Sequence, residues 1–161
     1  MPQQPIKVLM VCLGNICRSP IAEGLLRHKA RIKNLTITTD SAGTNGFHDG
    51  EAPDRRTQKN ALSHQVDISD LRSRKFTTND LTNFDIIYTM DANNYRTVLA
   101  MCSTDEERNK VKMILNELYP NSNSAVPDPY YLGEDGFENV YKLLDEATDV
   151  IVEKFKEGRL V

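Results

Sequence analysis

The run Cys12-Leu13-Gly14-Asn15-Ile16-Cys17-Arg18-Ser19 sets a thiol, a guanidinium and a hydroxyl around one small loop. Those groups can hold a phosphoryl group and attack it. The apolar stretch Ile6 to Val11 leads into the loop, and Pro20-Ile21-Ala22 opens a helical pattern after it. A loop that runs into a helix N-terminus presents unpaired backbone N–H groups and partial positive charge, so it binds anions before any side chain contributes. Arg18 adds a planar fork able to donate two parallel hydrogen bonds to phosphate oxygens, which lysine cannot imitate. Gly14 and Asn15 tolerate the positive φ that a tight loop with inward N–H groups requires. The same field favours the thiolate of Cys12, which is the nucleophilic form. The Ser19 hydroxyl can donate to that sulfur as it attacks and again as it leaves. A lone cysteine at a strand end is more often simply buried. Cys-x5-Arg-Ser between a strand and a helix is different, because every part serves one site.

The elements that must position this loop follow from periodicity. Lys7 to Val11 reads as a buried strand, and Ile21, Leu25, Leu26 and Ala30 recur at helical spacing after the loop. A second strand is expected at Leu35 to Thr39, a short helix after Pro53, and a third strand at Asp85 to Thr89. A helix capped by Asp91 should turn Tyr95, Val98, Leu99 and Cys102 inward. Val111 to Leu115 suits a fourth strand. The last helix carries one stripe of Phe137, Val140, Tyr141, Leu144, Ala147, Ile151 and Phe155, with Asp135 and Glu138 as its capping box and Gly158 as its stop. Alternating strands and helices imply an α/β fold, a parallel sheet covered on both faces, with ligands at the carboxyl ends of strands. Cys12 lies at such an end.

A chain of 161 residues without a proline-, glycine- or serine-rich divider is expected to form a single domain spanning 1–161. Twenty basic and 23 acidic residues give a formal charge of −3, which signals neither nucleic acid nor an anionic membrane as partner. The N-terminal apolar run is too short for a membrane span and lacks a basic start and a cleavage site. Cys12, Cys17 and Cys102 make no disulfide framework, so the chain is expected in the cytoplasm with reduced thiols. His28, His48 and His64 show no metal-ligand spacing, and no metal or other cofactor is expected.

At the loop the chain resembles the low-molecular-weight protein tyrosine phosphatases, whose signature is Cys-x5-Arg-Ser followed by Pro. The likeness continues through Asp40-Ser41-Ala42-Gly43-Thr44, Phe84 to Asp91 and Asp128-Pro129-Tyr130-Tyr131, in the family's order. It implies a three-layer fold with a four-stranded parallel sheet flanked by helices. It also implies Cys12 as nucleophile, Arg18 as phosphate clamp and Asp128 as general acid and base, with Leu13 to Ser19 holding the phosphate. Leu13, Phe47, Tyr130 and Tyr131 would line the substrate pocket, and Ser41 would support Asn15. Cys12 and Cys17 would form a reversible disulfide that shields the nucleophile.

The substrate implied is a phosphotyrosine-containing protein, a bacterial-type tyrosine kinase among the candidates, and the chain is expected as a monomer or weak dimer. Three alternatives stay open. A related branch acts on phosphoarginine, with Thr at the position of Ile16 and Phe at that of Tyr130. Arsenate reductases of this fold relay through a pair of further cysteines, where only Cys102 is available here. Phosphocarrier subunits also place a phosphorylated cysteine after the first strand, but need neither the Arg18 clamp nor the Asp128 acid. Two positions depart from the family pattern: Leu71 stands where a histidine often supports the loop asparagine, and Gln65 where a helix-ending glycine is common.

Overall fold

The computed structural model describes residues 5–158 of the chain; the outermost residues of the expected 1–161 domain lie outside that range. Its strands are β1 (Ile6–Cys12), β2 (Ile37–Gly43), β3 (Ile86–Thr89) and β4 (Val111–Met113). Its helices are α1 (Arg18–Ile32), α2 (Arg55–Ser63), α3 (Asn79–Asn83), α4 (Ala92–Met101), α5 (Asp105–Lys110) and α6 (Glu134–Lys156). The four strands form one parallel sheet in the order β2-β1-β3-β4. After β1 the chain winds to one side to make β2, then crosses to the other for β3. The carboxyl end of β1 therefore lies at the point where the strand order reverses, the position at which open α/β sheets leave a crevice.

A strand buried on both faces reads as a continuous apolar run, and β1 does so because alternate side chains enter two different cores. Val8, Met10 and Cys12 point toward α1 and α6, among Ile21, Leu25, Leu144 and Ile151. Leu9 and Val11 point the other way, among Phe76, Leu81, Ile87 and Val98. The α6 stripe is buried at all seven predicted positions. Each large apolar side chain so buried contributes roughly 1.5–3 kcal/mol, which is why the longest helix needs no special sequence beyond its period.

Several boundaries differ from expectation. Strand β2 begins at Ile37 because Leu35 is still finishing α1, its N–H donating to the Ala30 carbonyl at 2.9 Å beside Asn34 at φ +54°. It then runs through the polar pair Asp40-Ser41 to Gly43, since its register follows β1 residue by residue up to Cys12 opposite Gly43. Strand β4 stops at Met113, and Ile114 and Leu115 enter the core from a 3-10 turn. Asp135 and Glu138 make no capping box. Helix α6 follows Gly133 without a side-chain cap, and Glu138 instead accepts from Asn60 Nδ2 and His64 Nε2 at 3.1 and 2.6 Å.

The box signature belongs to Thr104-x-x-Glu107 on α5, an unpredicted helix. There Thr104 Oγ1 accepts from the Glu107 N–H at 3.1 Å, and Glu107 reaches back to the Ser103 N–H at 2.6 Å. Cys102 ends α4 only partly buried, its Sγ 3.5 Å from the Val98 carbonyl oxygen. Gly158 follows α6 at φ +78°, as a helix stop requires, and Gln65 adopts φ +65° after α2, which costs a non-glycine residue on the order of 1 kcal/mol.

Candidate active site

The loop after β1 is held open from outside. The carbonyls of Cys12, Leu13 and Ile16 accept from the N–H groups of Thr44, Asn45 and Asp54 at 2.9, 3.0 and 2.9 Å, and Ser73 Oγ donates to the Gly14 carbonyl at 3.2 Å. In a planar trans peptide the N–H points opposite to the carbonyl, so anchoring these oxygens outward turns the following N–H groups toward the centre of the loop. The Asn15 N–H accordingly lies 3.3 Å from Cys12 Sγ. Helix α1 begins at Arg18 with neither a side-chain cap nor an acidic residue in its first turn, so its N-terminal donors remain available to an anion. Gly43 permits the close approach of β2 to the loop, because a Cβ there would sit 2.9 Å from the Leu13 carbonyl oxygen. Of the two residues expected to need positive φ, Asn15 does so at +58°, whereas Gly14 does not.

Asn15 is 2% exposed and organises the sulfur's surroundings. Its Oδ1 accepts from the Arg74 N–H at 3.0 Å, which fixes the amide orientation. Its Nδ2 then donates to Ser19 Oγ at 2.8 Å and to Ser41 Oγ at 2.9 Å. Since Ser19 Oγ already accepts from Asn15, its own proton is free to point at Cys12 Sγ, 3.0 Å away. The sulfur thus meets two donors, an arrangement that suits a thiolate. Arg74 reaches this place because the segment Arg74 to Phe76 pairs with the end of β2, and its guanidinium is clamped by Asp80 and Asp40. Leu71, where the family pattern places a histidine, is 9% exposed in the core on the α1 side of the sheet, and Asn15 is held without it.

Arg18 is 3% exposed. Its Nη1 donates to Asp91 Oδ2 at 2.7 Å and to the Val126 carbonyl at 3.0 Å, leaving Nη2 3.8 Å from Asp128 Oδ2. Burial works against its charge, but Cys12, then Asp91 and Asp128, more than compensate and hold its pKa above the usual arginine range. Asp91 does two jobs: Oδ1 caps α4 by accepting from the Asn94 N–H at 2.8 Å, and Oδ2 orients the clamp. The sequence signals the cap, but not the partnership with Arg18 across 73 positions. Burial pushes the Cys17 thiol up to about 12, so it is a neutral thiol beside the site.

Cys12, Leu13, Gly14, Ile16, Cys17, Arg18, Asp128, Tyr130 and Tyr131 line one cleft of about 310 Å³, together with Asn45, Phe47 and His48. All the predicted pocket residues are thus at one site. Phe47 and Tyr131 are 85% and 91% exposed, so the apolar walls form an open rim. His48 was missed. Its Nδ1 lies 2.5 Å from Glu51, and no motif marked it.

A second missed residue is Glu23, 5% exposed, whose Oε1 accepts from Ser41 Oγ at 2.6 Å. Its place on the inner face of α1 gives no chemical signal in the sequence. Burial raises its pKa from 4.5 to about 7. The fold therefore prefers the neutral acid, and the stability this contributes is complete below about pH 4.5 and is lost as pH rises through about 7. Glu23→Gln keeps an acceptor for Ser41 but cannot ionise. Relative to wild type it should gain stability between pH 5 and 8, by at most about 3 kcal/mol. Denaturant unfolding at both pH values checks this, and a pH-independent difference would contradict it.

Fold and loop together define a class: a parallel α/β sheet carrying a Cys-x5-Arg-Ser anion loop at its switch point. A family model described as low molecular weight phosphotyrosine protein phosphatase matches residues 7–159. The low molecular weight phosphotyrosine protein phosphatase of Schizosaccharomyces pombe is 40% identical over 139 residues, covering 84% of this chain and 88% of that one. Its human namesake is 37% identical over 158 residues, covering 96% and 99%. A crystal structure of a protein tyrosine phosphatase from Entamoeba histolytica, with Hepes in the active site, superposes with a TM-score of 0.89 at 37% identity, covering 96% of this chain and 99% of that one. The chain belongs to the low molecular weight phosphotyrosine protein phosphatase family.

Proposed function

We propose that the protein hydrolyses phosphotyrosine in proteins through a phosphate ester of Cys12. The reading is carried by the meeting of Cys12, Arg18 and Asp128 in one cleft rimmed by Tyr130 and Phe47. The phosphate dianion enters the loop, and its oxygens take hydrogen bonds from the inward N–H groups and from Arg18. That charge displaces the Asp128 carboxylate as the partner of Arg18 Nη2, and the released, solvent-exposed carboxylate takes up a proton from water before the chemical step. Cys12 Sγ then forms a bond to phosphorus while the bond to the phenolic oxygen breaks, and Asp128 delivers its proton to that oxygen. A phenolate has a parent pKa of about 10, so its departure gains from protonation. In the second step Asp128 accepts a proton from water as the water oxygen bonds to phosphorus, the S–P bond breaks, and Ser19 donates to the departing thiolate. Arg18 and the loop amides stabilise charge in both transition states, the dominant requirement in phosphoryl transfer.

The aromatic rim and the bulk of Ile16, a loop residue that lines the cleft, favour an aryl phosphate over phosphoarginine. Purified protein offered phosphotyrosine and phosphoarginine peptides of one sequence should prefer the first by at least about tenfold in kcat/KM; the opposite preference would reassign the substrate. The same reading makes tyrosine-phosphorylated proteins the partners, a tyrosine kinase carrying its own phosphotyrosines among them. It also puts the protein in the cytoplasm, as the free thiols of Cys12, Cys17 and Cys102 suit a reducing compartment. Under oxidation, Cys17 would close a reversible disulfide on Cys12.

A further inference from the structure

We infer that Arg56 is a positioning residue that ties Tyr130, and with it the segment bearing Asp128, to the phosphate-binding loop. Residues 119–133 carry no helix or strand; the Val126 N–H is tied to the Met90 carbonyl at 2.8 Å, and the stretch beyond it needs further contacts to fix it against the loop. A continuous path does so. The Asp54 N–H donates to the Ile16 carbonyl of the loop at 2.9 Å, and Asp54 Oδ1 caps α2 by accepting from the Arg56 N–H at 2.8 Å. The same carboxylate takes both arms of the Arg56 fork, Nε at 3.0 Å and Nη2 at 2.9 Å. So oriented, the guanidinium lies between two rings, its Cζ 4.8 Å from the centroid of Phe137 and 5.2 Å from that of Tyr130.

Phe137 is 2% exposed in the first turns of α6 and supplies a fixed backing. Tyr130 is 38% exposed, and its N–H donates to Asp128 Oδ1 at 3.1 Å. The Arg56 charge is satisfied by Asp54, so it does not compete with Arg18 for phosphate. Lysine cannot replace it, because stacking between rings while holding a carboxylate with two parallel bonds needs a planar fork.

This inference rests on the reading of Asp128 as the acid and Tyr130 as a wall, and the test separates the two. Arg56→Ala and Arg56→Lys are compared with wild type on a phosphotyrosine peptide, on p-nitrophenyl phosphate, whose leaving group departs with little help, and for inhibition by inorganic phosphate. Both variants should lose about fivefold in kcat/KM on phosphotyrosine and less on p-nitrophenyl phosphate, with phosphate inhibition unchanged. Combining Arg56→Ala with Tyr130→Ala should cost no more than Tyr130→Ala alone. Equal losses on both substrates, weakened phosphate binding or additive losses would overturn the inference, and unchanged phosphate inhibition also certifies that the variants are folded. If Asp128→Ala itself shows no larger loss on phosphotyrosine, it is the reading of the acid that fails, whatever Arg56 does.

Discussion

Cys12→Ser should lose turnover by at least about 10⁴-fold, the scale seen when a hydrolase loses its covalent nucleophile, while still binding inorganic phosphate. The two halves of this expectation have separate causes. Attack requires an anion, and the donors around position 12, the Asn15 N–H at 3.3 Å and the Ser19 hydroxyl at 3.0 Å, are spaced for sulfur. A serine hydroxyl in their midst stays protonated and shorter by part of a bond. Phosphate affinity depends instead on Arg18 and on amides whose carbonyls are anchored elsewhere, at Thr44, Asn45, Asp54 and Ser73. Initial rates and calorimetric titration with phosphate measure the two separately. Appreciable residual turnover would remove Cys12 from the chemistry.

Asp128→Ala is expected to cost about 10²- to 10³-fold in kcat on phosphotyrosine, the usual yield of general acid–base catalysis. The loss should shrink on an aryl phosphate with a stable leaving anion. Asp128 is suited to this work by its setting: Oδ1 is held by the Tyr130 N–H, and Oδ2 faces the clamp from 3.8 Å. Its carboxyl is 45% exposed, so water can reach it for the second step. Because binding does not need the proton, the variant should retain tyrosine-phosphorylated proteins long enough to isolate them. A loss independent of the leaving group would mean that Asp128 supports the cleft without donating a proton.

What the sequence disclosed, and what it hid, follows one physical division. Local features were legible: the loop motif, the helical stripe of α6 and the unbroken apolar run of β1 each report on neighbours within a turn or a strand. Strand β2 was half legible, since Asp40 and Ser41 sit at positions set by pairing with β1, not by their own hydrophobicity. Residues acting across the fold left no local trace. Glu23 looks like any helix glutamate, Asp54 and Arg56 like a cap and a solvated cation, and Asp91 like a cap alone. Their roles arise where β1, the segment before α2 and the segment before α6 converge. Asn15 shows the limit from the other side: the sequence suggested Ser41 as its support, but not the Arg74 N–H, which depends on a bridge beside the end of β2.

The central claim is that phosphate passes through Cys12. Rapid quenching in acid, within one turnover of a phosphotyrosine substrate, followed by mass spectrometry of the peptide containing residues 12–18, tests it directly. The account predicts one phosphoryl group on the Cys12 sulfur, appearing before free phosphate and accumulating when Asp128 is replaced, on a substrate whose leaving group needs no proton. Phosphate released with no labelled cysteine at any quench time, or a phosphoryl group found on Ser19 instead, would contradict it.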